Sequence, residues 1–200
     1  IQLGLTTNAD NAPMDATVMN CHWSIAEGSK VFKGYYALNL AILDDVMVSG
    51  CTFTGYDRGM NIQLEGTGSS AYAKNCTFTS IGGKCALQLS GDVGYANASF
   101  SGCTFSGCKT AVSIHESAKG DGSVLSYDND YSSCETLLLY SADSSNQTSS
   151  VGFTSNDDSV NDITTPIGAE GTATAPINTI SGSEWYSDLT IRTFASSRRW

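Results

Sequence analysis

The chain has 200 residues, with 20 Asp and Glu against 10 Lys and Arg, a formal net charge of -10. That length suits one domain, 1–200, with a sizeable core. The acidity argues against nucleic acid as a partner, because phosphate binding needs clustered Lys and Arg. No apolar run approaches the roughly 18 residues that span a bilayer, so membrane insertion is not expected.

Charged residues make up only 15%, while small polar residues and Gly are plentiful, a composition that favours turns and β-structure over surface helices. The chain does not begin with Met or with a basic leader, and the expectation is a mature or excised piece of a longer precursor. Residues 1–15 lack any period and are expected to cap one end of the fold.

Asn20-Cys21-His22-Trp23 then opens a repeated phrase, which returns as Gly50-Cys51-Thr52-Phe53, Asn75-Cys76-Thr77-Phe78 and Gly102-Cys103-Thr104-Phe105. The four cysteines are 30, 25 and 27 residues apart. Asn129 and Asn156 continue the series, giving six copies with Asn replacing Cys in the last two. A period near 25 without helical patterning predicts one β-solenoid coil per copy. The longer first interval predicts a loop over 28–36.

A strand precedes each phrase, with Val46 and Val48, Ala71 and Ala73, and Ala98 and Phe100 facing inward. A second strand follows it at 60–66, 85–91 and 110–116. A gap-free alignment sets Ile62 on Leu87, Gln63 on Gln88 and Leu64 on Leu89, with Ile62, Leu64, Leu87, Leu89, Val112 and Ile114 inward. Stacked coils place equivalent side chains in columns. Cys21, Cys51, Cys76, Cys103, Asn129 and Asn156 thus form an interior ladder, and Trp23, Phe53, Phe78, Phe105 and Tyr131 an aromatic column. Parallel projection of the thiols, and an odd total of seven, favour unpaired cysteines. Cys108 and Cys134 align with each other, and no CxxC pair signals zinc. Residues 161–200 lose the period, and Trp185, Tyr186, Leu189, Ile191 and Phe194 are expected to cover the far end.

The repeat resembles that of the pectin-lyase-like superfamily, with Gly-Cys-Thr-Phe where those repeats carry Gly-Asn and an apolar residue. The likeness covers roughly 16–160 and concerns fold: an all-β, single-stranded right-handed parallel β-helix of about six coils with capping termini. It implies ligands lying across the outward faces of stacked strands. Polysaccharide or glycoconjugate is therefore the expected partner, and a secreted or cell- or virion-surface location is expected.

On the strand after the phrase, Asn39, Gln63, Gln88 and Ser113 are expected in one outward column, flanked by Asn61 and by Glu65, Ser90 and His115. Amides and hydroxyls in register suit sugar hydroxyls, since both donate and accept. Three consecutive leucines, Leu137 to Leu139, leave two registers open. Either Leu138 is exposed beside Tyr140 as an apolar platform, or the pattern slips by one residue.

Pectate lyases of the superfamily use clustered Asp with calcium, and its polygalacturonases combine Asp with His and Arg. The catalytic candidates here are Asp128, Asp130 and Asp157, although no Gly-His-Gly or Arg-Ile-Lys phrase is present. The alignment sets Asp130 over Asp157, a pair that could share a proton or bridge calcium. No other cofactor is implied. His115 and Glu65 fall about two strand spacings apart, roughly 10 Å, too far for a dyad. Thr52/Thr54, Thr77/Thr79 and Thr104/Ser106 form outward rows resembling those of ice-binding solenoids, but only three coils carry them. Three functions stay open: glycan recognition, polysaccharide hydrolysis or elimination, and a structural stalk.

Overall fold

A computed structural model describes residues 1–3, 15–26, 29–31, 33–42, 44–66, 68–141, 149–170 and 179–181. Its coils are made by residues that can bend the chain the unfavourable way. Asn20, Gly50, Asn75, Gly102, Asp128 and Asp157 all have φ between 52° and 63°. Five residues after each of the last five stands another left-handed residue, Gly55, Ser80, Gly107, Ser133 or Asp162. Gly reaches this region freely, and Asn and Asp at small cost, which is why these types hold every such position but Ser80 and Ser133.

The two corners bracket a three-residue strand and leave each coil with three sides. Sheet I holds the strands before the phrase: Ala16–Met19, Val46–Ser49, Ser70–Lys74, Asn97–Ser101, Ser123–Tyr127, Gly152–Asn156 and Thr179–Ser181. Sheet II holds the short strands His22–Ser24, Thr52–Thr54, Thr77–Thr79, Thr104–Ser106, Asp130–Ser132 and Ser159–Asn161. Sheet III holds Gln2–Leu3, Tyr36–Ile42, Arg58–Leu64, Leu87–Gly91, Thr110–His115, Thr136–Ser141 and Thr165–Ala169. Every pairing between these strands is parallel, and the fold is an all-β parallel solenoid of about five turns. Strands at 2–3, 165–169 and 179–181 carry the sheets beyond 16–160 at both ends. The proposed cover residues Trp185, Tyr186, Leu189, Ile191 and Phe194 lie outside the described residues.

Two internal columns hold the coils in register. The rings of Trp23, Phe53, Phe78, Phe105 and Tyr131 stack at 4.8, 4.8, 4.9 and 5.0 Å with interplanar angles of 9° or less. Each such contact contributes about 0.5–1.5 kcal/mol beyond the area it buries. Beside them, Cys51 Sγ lies 3.4 Å from the Ser49 carbonyl and 3.7 Å from the Val18 carbonyl of the preceding coil. Cys76 and Cys103 repeat that pattern. Asn129 Nδ2 donates to the Phe100 carbonyl at 3.1 Å, the equivalent bond made by a stronger donor. Cys and Asn are interchangeable here because both join one coil's corner to the strand below. All seven cysteines are free, and Cys108 and Cys134 continue a second column at the far corner.

Two expected registers change, and the one left open at the leucines is fixed. Leu87 pairs with Met60, Gln88 with Asn61 and Leu89 with Ile62, two residues away from the gap-free alignment. The corner from Ile81 to Cys85 is two residues longer than that from Tyr56 to Arg58, so it absorbs the shift. The last rung of the ladder is Asp158 instead of Asn156, since Asp158 Oδ1 accepts the Asn129 backbone N–H at 2.9 Å. Accordingly Asp130 pairs with Ser159, and Asp157 lies beyond Asp128 at the corner. Among the three leucines, Leu138 and Tyr140 face inward and are fully buried, while Leu139 is the outward one.

Asp158 is 1% exposed and accepts bonds from Ser126 Oγ, Ser155 Oγ and both nitrogens of Asn129. Burial pushes its carboxyl above the usual range, against the opposing pull of those donors. Folding therefore favours the protonated form. This contribution is complete below the unfolded pKa and is lost as pH rises through the folded one. Asp158→Asn should flatten that dependence. From about pH 4 upward the wild-type melting temperature is expected to fall relative to the variant's, and a constant gap would refute this.

The alternation of Asn and Gly before the ladder residue has its own steric cause. A Cβ on Gly50 would lie 2.5 Å from Asn20 Oδ1, and one on Gly102 would lie 2.5 Å from Asn75 Oδ1. Gly102→Ala adds left-handed strain of about 1–2 kcal/mol to that clash. We expect a loss of about 2–3 kcal/mol in denaturant unfolding. Gly82→Ala, whose Cβ would have nothing within 4 Å, should cost far less.

Candidate functional site

The outward side chains of sheet III include most of the residues expected to bind a ligand, and the coil turns them into a closed seam. Asn39, Asn61, Gln88, Ser113 and Leu139 share one outward column. Asn61 and Gln88 are 5% and 7% exposed, and Ser113 is fully buried. Asn61 Nδ2 donates to Asn39 Oδ1 at 2.7 Å, and Gln88 Nε2 donates to Asn61 Oδ1 at 3.3 Å. Gln63 falls in the next column with Ser90 and donates to Glu65. His115 Nδ1 lies 2.8 Å from Ser117 Oγ in the turn that follows. The amides that sequence reasoning offered to sugars satisfy one another instead. Tyr140, 1% exposed, is a core residue whose hydroxyl donates to the Val151 carbonyl at 3.3 Å.

The acidic candidates separate. Asp128 and Asp157 occupy successive left-handed corners, both exposed, where earlier coils have Gly102 and Asn75. That corner role accounts for them without catalysis. Asp130 is exposed on sheet II between Thr104 and Ser159, so the proposed Asp130–Asp157 calcium bridge does not form as a vertical pair. A different acidic group does assemble, Asp15, Asp44 and Asp45, whose carboxylate oxygens lie within 4.8 Å of one another. Asp45 Oδ1 accepts the Ser70 N–H at 2.8 Å and Asp15 Oδ1 the Asp45 N–H at 3.2 Å, which ties three coils together.

Sheet I presents a more open surface. Its outward positions form one column of Thr17, Met47, Tyr72, Ser99, Leu125 and Thr154. A second column holds Met19, Ser49, Lys74, Ser101, Tyr127 and Asn156. Met19 and Leu125 are 55% and 43% exposed, Met47 is also exposed, and Tyr72 and Tyr127 are half-buried. Lys74 Nζ sits 5.3 Å from the Tyr72 ring centroid, a cation–π contact that holds the ring in place. Six strands at about 4.8 Å make this face roughly 24 Å long. Alternation alone could not reveal it, because strands with an outward Met or Leu read like buried ones.

A pocket of about 390 Å³ also opens at the first two coils, lined by Ile25, Val31, Tyr35 and Tyr56. Among the described residues no helix is long and apolar enough to cross a membrane. Comparison with protein-family models, curated proteins and solved structures finds no match to this chain.

The thiols are chemically unequal. Burial raises the Cys51 thiol, and pushes Cys85 up to about 12. Only Cys21, the first rung, is exposed. A disulfide-exchange reagent should therefore titrate one thiol quickly in the folded protein and the other six only on unfolding. Two or more fast thiols would mean that the ladder is open.

Proposed function

We propose that the protein is a secreted or surface-displayed recognition module for polysaccharide or glycoconjugate, with the polymer lying along the outward face of sheet I. The observation that carries this reading is the exposed face that sets Tyr72, Tyr127, Leu125, Met47 and Met19 among hydroxyls and an amide over about 24 Å. The C–H face of a sugar ring packs on an aromatic π-surface or a Met side chain. Ser49, Ser101, Thr154 and Asn156 lie within the same two columns and can exchange hydrogen bonds with ring hydroxyls. The columns contain no carboxylate and one cation, Lys74, which is engaged with the Tyr72 ring, while the net charge of -10 disfavours a polyanion, so a neutral polymer fits best. The likeness of the repeat to pectin-lyase-like β-helices supports the same class of partner. Catalysis draws no such support, because the candidate carboxylates have structural roles or stand alone.

Affinity electrophoresis against soluble neutral polysaccharides tests the proposal. Tyr72→Ala and Tyr127→Ala should each weaken retardation about three- to tenfold, the effect of one lost ring contact. Gln63→Ala should leave it unchanged. Loss with Gln63→Ala but not with the tyrosines would return the site to sheet III, and no retardation of the wild type on any polymer would favour a structural stalk.

A further inference from the structure

The first coil differs from those above it in the loop that joins Ser24 to Tyr36. Ile25 occupies the corner taken above by Gly55, and a Cβ on Gly55 would lie 3.6 Å from the Ile25 Cβ. The next corner position holds Tyr56 and then Ile81, Cys108 and Cys134, as the backbone bonds between coils show. Ile81, Cys108 and Cys134 are buried, whereas Tyr56 is half-buried and lines the pocket. Tyr35 is 71% exposed and Val31 is also exposed, so burial does not hold these two lining residues of the loop in place.

Hydrogen bonding does. The Gly34 N–H donates to Asp57 Oδ2 at 2.7 Å, with Gly34 at φ +82°. On its other side the Asp57 carboxyl abuts Gly83, where an added Cβ would fall within the carboxyl group itself. The Gly83 and Lys84 N–H groups donate to the Asp57 carbonyl at 3.1 and 3.0 Å. The two extra residues of that corner thus make room for Asp57, and Asp57 in turn fixes the loop beside Tyr35. A carboxylate clamped between two coils preforms the pocket.

We propose that the pocket walled by Ile25, Val31, Tyr35 and Tyr56 is a binding site for an uncharged molecule with a flat apolar ring system, preformed by the Asp57–Gly34 latch. Its volume of about 390 Å³ is that of a small-ligand site. Among the described residues the four that line it are uncharged and offer no partner to an ionic group, so a charged ligand would lose hydration without compensation and a neutral ring would not. Two tyrosine rings provide stacking surfaces, and their hydroxyls can bond a polar substituent. The site is separate from the polymer face and does not depend on that reading.

The neutral fluorophore N-phenyl-1-naphthylamine, which brightens in apolar surroundings, is the probe. Titration of the wild type should saturate at one equivalent. Val31→Asp, which sets a carboxylate in the lining, should weaken binding at least tenfold. Asp57→Ala should weaken it severalfold, while Asp57→Asn, which keeps an oxygen for the Gly34 N–H, should stay near wild type. Tyr95→Asp, at an exposed ring elsewhere, should change nothing. Unchanged melting temperatures show that the variants fold. No saturable signal, or a Val31→Asp titration equal to wild type, would overturn the site. Equal losses in Asp57→Ala and Asp57→Asn would overturn the latch.

Discussion

Vertical repetition at one strand spacing is the constraint from which the rest follows. A side chain that points inward must fit the same side chain, or one of like size, about 4.8 Å above and below it. Five aromatic rings meet that condition face to face, with centroids 4.8 to 5.0 Å apart. Four cysteines, then Asn129 and Asp158, meet it beside them. Outward positions carry no such demand, and chemistry can vary there from coil to coil without disturbing the stack.

The ladder shows how a stack may change its chemistry while keeping its geometry. A thiol donates weakly to the carbonyl of the coil below, and an amide makes the same link more strongly. Asn129 also turns its oxygen to the Cys103 N–H at 2.8 Å, and Asp158 does the same for Asn129 at 2.9 Å. Polarity rises along the ladder because each polar rung supplies a partner for the next. Asp158 is enclosed by Ser126, Ser155 and Asn129, a small polar cluster within an otherwise apolar core. The cost of burying such groups is offset only when every donor and acceptor is matched.

What the sequence made legible was whatever the stack repeats. The cysteine phrase, the aromatic column and the inward Val46, Val48, Ala71, Ala73, Ala98 and Phe100 all stand where their spacing predicts. What it concealed were shifts of two. Strand alternation has a period of two, so Ile62-Gln63-Leu64 fits Leu87-Gln88-Leu89 as well as Met60-Asn61-Ile62 does. The same blindness put Asn156 in place of Asp158. Burial of the sheet III amides was hidden for another reason: polarity marks an outward side chain, but not whether water reaches it. The tyrosine pocket needed the fold, since Ile25 and Tyr56 become neighbours only when the second coil lies on the first.

The Asn–Gly alternation at the first corner bears on how such a chain can grow. Asn20 lies under Gly50 and Asn75 under Gly102, each amide filling the space that a side chain on the next coil would need. Within these four coils the unit that duplicates cleanly is therefore a pair. Excising the single coil that carries Gly50 would set Asn75 directly on Asn20, two amides contending for one volume. The first four coils therefore read as two doublets, and that pairing ends where Asp128 and Asp157 follow each other at the same corner.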